Sequence, residues 1–584
     1  MKYIKILIIF TIVSSLTSCS DMMEVYNPNE LTVDEAWESL DDAKNSISSV
    51  YNALYDDDLM SIEKLSLCSD MGYPGYGRNG NPTNATLAMY YNQTYTNSAS
   101  SISDNWSALY TGIFRANQTI EGLETLSKNG LEESDTWREY MGQARFFRGV
   151  FHFWLNSLYN NGEVIIFDSV PKDKEDYYKS VSSSDSVQNF FRKDLKYAYE
   201  NLPRSWDSDG ERVTKGTAAA MLGQSYLYTE EYDSAKYYLK DVIDSGVYSL
   251  VTNNVDSMFT TYGEFNSESI FEINYSTGIH PELSTWSNNA TTNLLGRTGT
   301  TSSFTLPCWL AHAYQTEVMD STDSRNFIYY IDENGEEKDS IRSMPLRGSA
   351  MVATVQEDNI SWYLNQYTSV SVSINAKSAI GYYRKYCNWD IVSNEKDLPD
   401  GSNKSGKNVV VCRLADVYLM YAECLIRQDD PDIEGALNYM NKIRNRWALQ
   451  LLGTAEQNPD WDANSYFNGV TYTAETLLKQ LQDIDKPLEM SAEGFAERFI
   501  DLRRWGLTAN RFDTLANQTY YLDKRILPTG KTRWNSWVKF GESDTYTTLI
   551  DYTNAAANYD DTRSYWPIPL VEEQSNRNIH GGDK

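Results

Sequence analysis

Leu222-Gly223-Gln224-Ser225-Tyr226, followed by Ala235 and Leu239, sets small and large residues at the spacing of a tetratricopeptide helix-turn-helix unit. Gly223 lets two helices approach closely, and Tyr226 and Leu239 fill the space beside it, so the block from Thr217 to Leu250 reads as one α-hairpin. A second pair runs from Arg413 to Trp447. Leu414, Val417, Tyr421 and Cys424 share one helix, Gln428 to Asp432 form the turn, and Ala436, Met440, Ile443 and Trp447 share the next. Such units bury their apolar stripes only against neighbours, which implies several stacked hairpins. Tyr140, Ala144, Phe147, Phe151, Trp154 and Leu158 recur at steps of four and three, one continuous stripe on a long helix. Thr32, ahead of an acidic first turn, predicts a helix beginning near residue 33 that carries Ala43, Ile47, Val50 and Leu54. A helix over roughly Ala492 to Trp505 would turn Phe495, Phe499 and Leu502 inward and Glu493, Glu497, Arg498, Asp501, Arg503 and Arg504 largely outward.

Two stretches refuse this periodicity. Residues 72–105 hold Gly72, Pro74, Gly75, Gly77, Gly80 and Pro82 among Tyr73, Tyr76, Tyr90, Tyr91 and Tyr95. Residues 275–411 are rich in Ser, Thr and Asn, with Trp286, Trp309, Trp362 and Trp389 and a hairpin turn signal at Asn334-Gly335. Loops of this length in a compact chain are functional or disordered, and the aromatic load argues for function.

The N-terminus carries Lys2 and Lys5, an apolar run from Ile6 to Val13, and Leu16-Thr17-Ser18-Cys19. That combination reads as a lipoprotein signal over residues 1–18, cleaved to leave an acylated Cys19 that anchors the chain in lipid. The apolar run is too short to span a bilayer stably. Of 584 residues 41% are hydrophobic, enough for a large core, and the 43 Tyr and 15 Trp exceed what a core needs. Rings with one polar edge suit partly wet recognition surfaces. A net charge of −30 disfavours nucleic acid and anionic lipid surfaces as partners.

Five cysteines remain besides Cys19, without a C-x-x-C pair, and most read as small buried hydrophobes. Cys412 and Cys424, if on one helix, stand about 18 Å apart, too far for a disulfide. Four dispersed histidines support neither a metal centre nor a catalytic dyad. Asp56-Asp57-Asp58 and the stretch Asp207 to Glu211 lack the loop pattern of a calcium site, so structural calcium is unsupported and no cofactor is expected. There is no G-x-S-x-G, H-E-x-x-H or phosphate-cradling glycine loop, and the reading is non-enzymatic.

Gln143-Ala144-Arg145-Phe146-Phe147-Arg148-Gly149, Cys412 to Glu423, Asn441-Lys442-Ile443-Arg444-Asn445-Arg446 and Tyr565-Trp566-Pro567-Ile568-Pro569 resemble, in order, signature stretches of the SusD/RagB family of nutrient-binding outer-membrane lipoproteins. Glu493 to Gly506, ending Asp501-Leu502-Arg503-Arg504-Trp505-Gly506, is similar to a further family element, though Phe495 to Phe499 follows its spacing only loosely. The resemblance implies a mainly α fold, with about four tetratricopeptide-like units as scaffold and long loops and a few short strands on the ligand-binding side. It implies one mature domain over 19–584, divided into a helical part at 19–250, a loop-rich insertion at 251–411 and a C-terminal part at 412–584. It also implies a partner, a SusC-like TonB-dependent β-barrel transporter, over which the lipoprotein sits as a lid facing the medium.

Sugars offer apolar C–H faces and hydroxyl pairs, so a glycan site needs aromatic platforms beside Asn, Asp, Gln or Arg. Tyr73, Tyr76, Arg78 and Asn79 meet that need in the first irregular stretch. In the second the candidates are Trp286 with Asn288 and Asn289, Trp309 with Tyr314, and Trp362 with Tyr367. Arg145, Arg148, Asp416, Glu423, Arg444, Asp501 and Arg503 read instead as ion pairs and hydrogen bonds between stacked hairpins. The expected function is capture of an oligosaccharide for import; capture of oligopeptides and a surface adhesin or scaffold are the alternatives.

Overall fold

The computed structural model describes residues 37–75, 82, 84–131, 133–206, 212–275, 304–332, 334–354, 363–364, 380–393, 397–398, 405–527, 530 and 532–581. The scaffold is helical: α1 (Leu40–Asn52), α2 (Ser100–Lys128), α3 (Asp135–Leu158), α4 (Ser184–Asn201), α5 (Lys215–Tyr228), α6 (Tyr232–Asp244), α7 (Cys308–Thr316), α8 (Leu414–Arg427), α9 (Ile433–Arg446) and α10 (Glu497–Arg504), with shorter helices between. Among the described residues the strands pair in twos: β1 (Tyr73–Pro74) with β3 (Phe304–Thr305), β2 (Ser269–Ile273) with β6 (Val409–Arg413), β4 (Phe327–Ile331) with β5 (Glu337–Ile341), and β7 (Tyr520–Ile526) with β8 (Thr532–Phe540).

Each helix packs on the next in chain order, α2 on α3, α3 on α4, α4 on α5 and α5 on α6, and α6 then receives α8 despite the intervening 170 or so residues. At Gly223 an added Cβ would lie 2.6 Å from the Leu239 side chain, so glycine is what permits the α5/α6 approach. The α8/α9 pair closes as the sequence indicates, with Asp432 capping Gly435. α3 is buried on almost every side from Met141 to Leu158 because helices cover it on both flanks. The C-terminal Trp566 returns to α3, its N–H donating to Leu158 O at 2.8 Å and its carbonyl accepting from Asn160 N at 2.9 Å. One hydrophobic cluster accordingly runs from Val50 to Ile579.

Several expectations change. Trp37 and Glu38 precede the first helix instead of lying within it, and α1 starts at Leu40, where Ser39 and Asp42 form a reciprocal capping box. Thr32 lies outside the described residues. The first irregular stretch contains a helix over Ala85–Tyr91, capped by the Asn84 side chain on Leu87 N. The Asn334-Gly335 turn is present, with Gly335 at φ +82° between β4 and β5.

The largest correction concerns α10. Ala492, Gly494 and Ala496 take positive φ, so helix begins only at Glu497. Glu493, Glu497, Arg498 and Asp501 are buried, not outward. Each finds a partner from another element: Lys486 reaches Glu497 and Asp501, both at 2.9 Å, Arg498 reaches Asp70 at 2.8 Å, and Glu493 receives Arg413 at 2.7 Å; the half-buried Arg504 likewise reaches Glu423 at 2.6 Å. Ion pairing of this kind binds hairpins as expected elsewhere, through Arg148 with Asp194 at 2.7 Å and Arg444 with Asp485 at 2.8 Å. The five cysteines from Cys68 to Cys424 are buried and form no disulfide. His152 is buried within α3, which pushes its imidazole down to about 3.

Candidate functional site

β1 and β3 are only two residues each, yet they join parts of the chain some 230 residues apart, with Tyr73 opposite Thr305 and Pro74 opposite Phe304. The Thr305 hydroxyl donates to Gly75 O at 2.7 Å, and Gly75 itself turns at φ +81°. A third part of the chain locks onto the same place. Leu306 N donates to Gly381 O at 3.0 Å, and Ala353 and Tyr382 exchange backbone hydrogen bonds at 2.8 and 3.1 Å. The Tyr383 ring packs 5.7 Å from Phe304, and its hydroxyl donates to Met71 O at 2.6 Å.

Gly75, Phe304, and Thr354 with Ile380 therefore border, at this seam, the sequence stretches 76–81, 276–303 and 355–379. Those stretches carry Tyr76, Arg78, Asn79, Trp286, Asn288, Asn289, Trp362 and Tyr367. All eight lie outside the described residues.

Three candidates inside the described residues have packing roles instead. Tyr73 is 0% exposed and meets Tyr91 edge-on at 5.1 Å. Trp309, 6% exposed on α7, donates its indole N–H to Asp70 O at 2.6 Å and lies under the Arg511 guanidinium at 4.2 Å. Tyr314, 0% exposed, hydrogen-bonds Leu488 O at 2.6 Å and Ser491 Oγ at 2.7 Å. The reason is common to all three: a ring set in a two-residue strand or a short helix beneath the seam is covered by the segments it anchors, so it offers no face to a ligand.

Beneath Trp309 the seam rests on a charged support. The Asp70 carboxylate receives both ends of Arg498 at 2.8 and 2.9 Å and Arg511 at 2.6 Å. Burial works to raise this carboxyl, but the two guanidiniums outweigh it and hold it down at about 2.

The described edge of the seam adds one ring that sequence reasoning named but did not select. Trp389 is half-buried, stacks 3.7 Å from the Arg384 guanidinium, and accepts the N–H of Leu364 on its carbonyl at 3.0 Å. Leu364 is 57% exposed and adopts positive φ. Asn388 precedes Trp389 in the sequence, so the pairing of a ring with an amide was present there too, but Asn388 is buried and is not at the surface beside the ring. Among the described residues no group of three or more His, Cys, Asp or Glu is placed to hold a metal ion, and no helix is long and apolar enough to cross a membrane.

Comparison with known proteins adds the following. A family model described as the SusD family matches residues 267–580, and one described as starch-binding and associating with the outer membrane matches residues 21–227. The chain is 22% identical over 559 residues to SusD-like protein P25 of Formosa agariphila, covering 90% of this chain and 94% of that protein. A crystal structure of a SusD superfamily protein from Bacteroides vulgatus is similar with a TM-score of 0.66 at 21% identity, over 93% of this chain and 98% of that one. A laminarin-binding SusD-like protein is similar with a TM-score of 0.60 at 18% identity, over 92% and 98% respectively.

Proposed function

The chain belongs to the SusD family, and we propose that it captures oligosaccharides at the cell surface and hands them on chemically unchanged. The observation that carries this reading is the seam. It gathers at one place the roots of three segments whose sequences combine Tyr and Trp with Asn and Arg. Rings that stack on the C–H faces of pyranoses, flanked by planar amides and a guanidinium for hydroxyl pairs, are the chemistry a glycan requires. The similar laminarin-binding protein supports the same ligand class. Tyr76, Arg78, Asn79, Trp286, Asn288, Trp362 and Tyr367 are the contacts we assign. Tyr73, Trp309 and Tyr314 hold the base on which those contacts stand.

The remaining parts follow from the leader and from family membership. Acylated Cys19 tethers the chain to the outer membrane, and a TonB-dependent β-barrel of the SusC type receives the ligand beneath it. Asp70, beneath the seam, is locked between two guanidiniums and serves as support.

Calorimetric titration with plant, host and microbial oligosaccharides tests the proposal. Binding to one glycan class is expected, and Trp286→Ala or Tyr76→Ala should weaken it by roughly tenfold or more through loss of a stacking platform. Silence toward every glycan, with binding to mixed oligopeptides, would move the assignment to peptide capture.

A further inference from the structure

Away from the seam, the middle of α2 faces the segment 165–178 and the C-terminal helix Leu570–Ser575 across a groove of about 500 Å³. Trp106, Tyr110, Phe114, Phe167, Tyr177 and Glu572 line it. None of these residues belongs to the seam. We infer that this groove is a second saccharide site, taking neutral oligosaccharides, and that it works independently of the first.

The rings are set before any ligand arrives. The Tyr110 hydroxyl donates to Ile165 O at 2.9 Å and accepts from Ile165 N at 3.0 Å, which fixes its ring against the opposite wall. Trp106 lies 4.9 Å from Tyr110 on one side, and Phe167 meets Tyr110 edge-on at 5.7 Å on the other. The wall itself is pinned, because the Asn117 amide donates to Phe167 O at 2.9 Å and Ser169 O at 3.3 Å. Tyr110, Phe114 and Phe167 are half-buried, and Tyr177 stands 52% exposed at the rim. Platforms held in this way bind without the cost of ordering side chains.

The polar lining specifies what those platforms hold. Ser107 and Thr111 are exposed one helical turn apart, so their hydroxyls share a face of α2 between the rings. Glu572 lines the other side, with one carboxylate oxygen accepting from Asn576 Nδ2 at 2.9 Å. A purely apolar ligand would strip water from that carboxylate and return nothing, whereas a hydroxyl donates to it. An acidic sugar is rejected for the opposite reason. Glu572 repels it, and the cations beside the groove are engaged, Lys179 with Asp168 at 3.2 Å and Arg577 with Glu175. Aromatic walls, hydroxyls and one acceptor carboxylate in a cavity of ligand size are together suited to a neutral glycan of two or three units.

The test uses the full-length chain and neutral gluco-oligosaccharides (laminari-, cello-, malto- and xylogluco-series) with hydrogen–deuterium exchange as a local readout. Ligand should protect residues 165–178 and 570–576 in the wild type and equally in Trp286→Ala. Tyr177→Ala should weaken that protection about tenfold, and Thr111→Trp, which fills the groove from an exposed helix position, should abolish it. Both positions are on the surface, so folding is unaffected. Absence of protection in the groove with every neutral oligosaccharide, protection that survives Thr111→Trp, or protection only by acidic sugars or apolar peptides would overturn the inference. Protection in the groove that disappears in Trp286→Ala would overturn its independence, and an unaltered seam response in Thr111→Trp keeps the two readings separable.

Discussion

At Asp70 a single carboxylate satisfies two guanidiniums while its own backbone carbonyl accepts the Trp309 indole, so one residue ties α7, α10 and the helix Thr508–Ala516 to the base of the seam. Asp70→Asn keeps the shape but takes from the buried Arg498 and the half-buried Arg511 the carboxylate they share. A loss of about 3–5 kcal/mol is expected in urea denaturation, with glycan affinity falling in parallel as the seam loosens. Gly223 is a second such point, since any side chain there must displace Leu239. The sequence already showed that approach, because a small residue opposite a large one at fixed spacing is a local signal. It could not show where Glu497 or Asp501 would point. Periodicity locates the apolar stripe, but a charged residue turns inward only if a partner awaits it. Lys486 and Glu423 come from elements that no local pattern connects to α10.

At the scale of elements, the hairpins α5/α6 and α8/α9 follow from stripes and turns read in sequence, and so does the β4–β5 turn at Gly335. The two-residue pairing of β1 with β3 does not. Strands that short carry no alternation, and their register is set by Thr305, by Gly381 and by rings from three distant parts of the chain. Hence the rings at Tyr73, Trp309 and Tyr314, read from sequence as ligand platforms, could not be recognised there as buried support of the seam. Thr305→Val removes the hydroxyl that holds Gly75 O. The expected outcome is a stability loss of about 1–2 kcal/mol from the orphaned carbonyl. It should be accompanied by faster hydrogen exchange at Gly72, Tyr73 and Gly75 and little change in α5 or α6.

Across the described residues, buried charge rather than disulfide bonding joins distant parts of the chain, as where Asp70 pairs with Arg498 of α10. Glu489 meets Arg413 at 2.8 Å and also pairs with Arg446 and Arg347. Burial alone would raise its carboxyl, but the three guanidiniums outweigh that and bring it to about 2. A carboxylate lowered on folding contributes stability that is whole above its unfolded value near 4 and disappears as pH falls through the folded one. The stability difference between wild type and Glu489→Gln should therefore be constant from pH 7 to about 5 and shrink toward pH 2, as followed by thermal unfolding. His152 acts in the window above. Its folded value near 3 lies below the unfolded 6.5, so stability declines as pH falls between those limits, and His152→Gln should flatten that part of the curve. The two-residue β1–β3 clasp has a wider consequence. Since residues that border three Tyr-, Trp- and Asn-bearing stretches of sequence meet at one seam, and the described helices pack on one another in series, those stretches can change in length and content while the scaffold stays fixed. Descent with modification can then act on them and leave foldability to the bundle. On the proposed function, exchanging the whole stretches between relatives should transfer ligand preference without a new core.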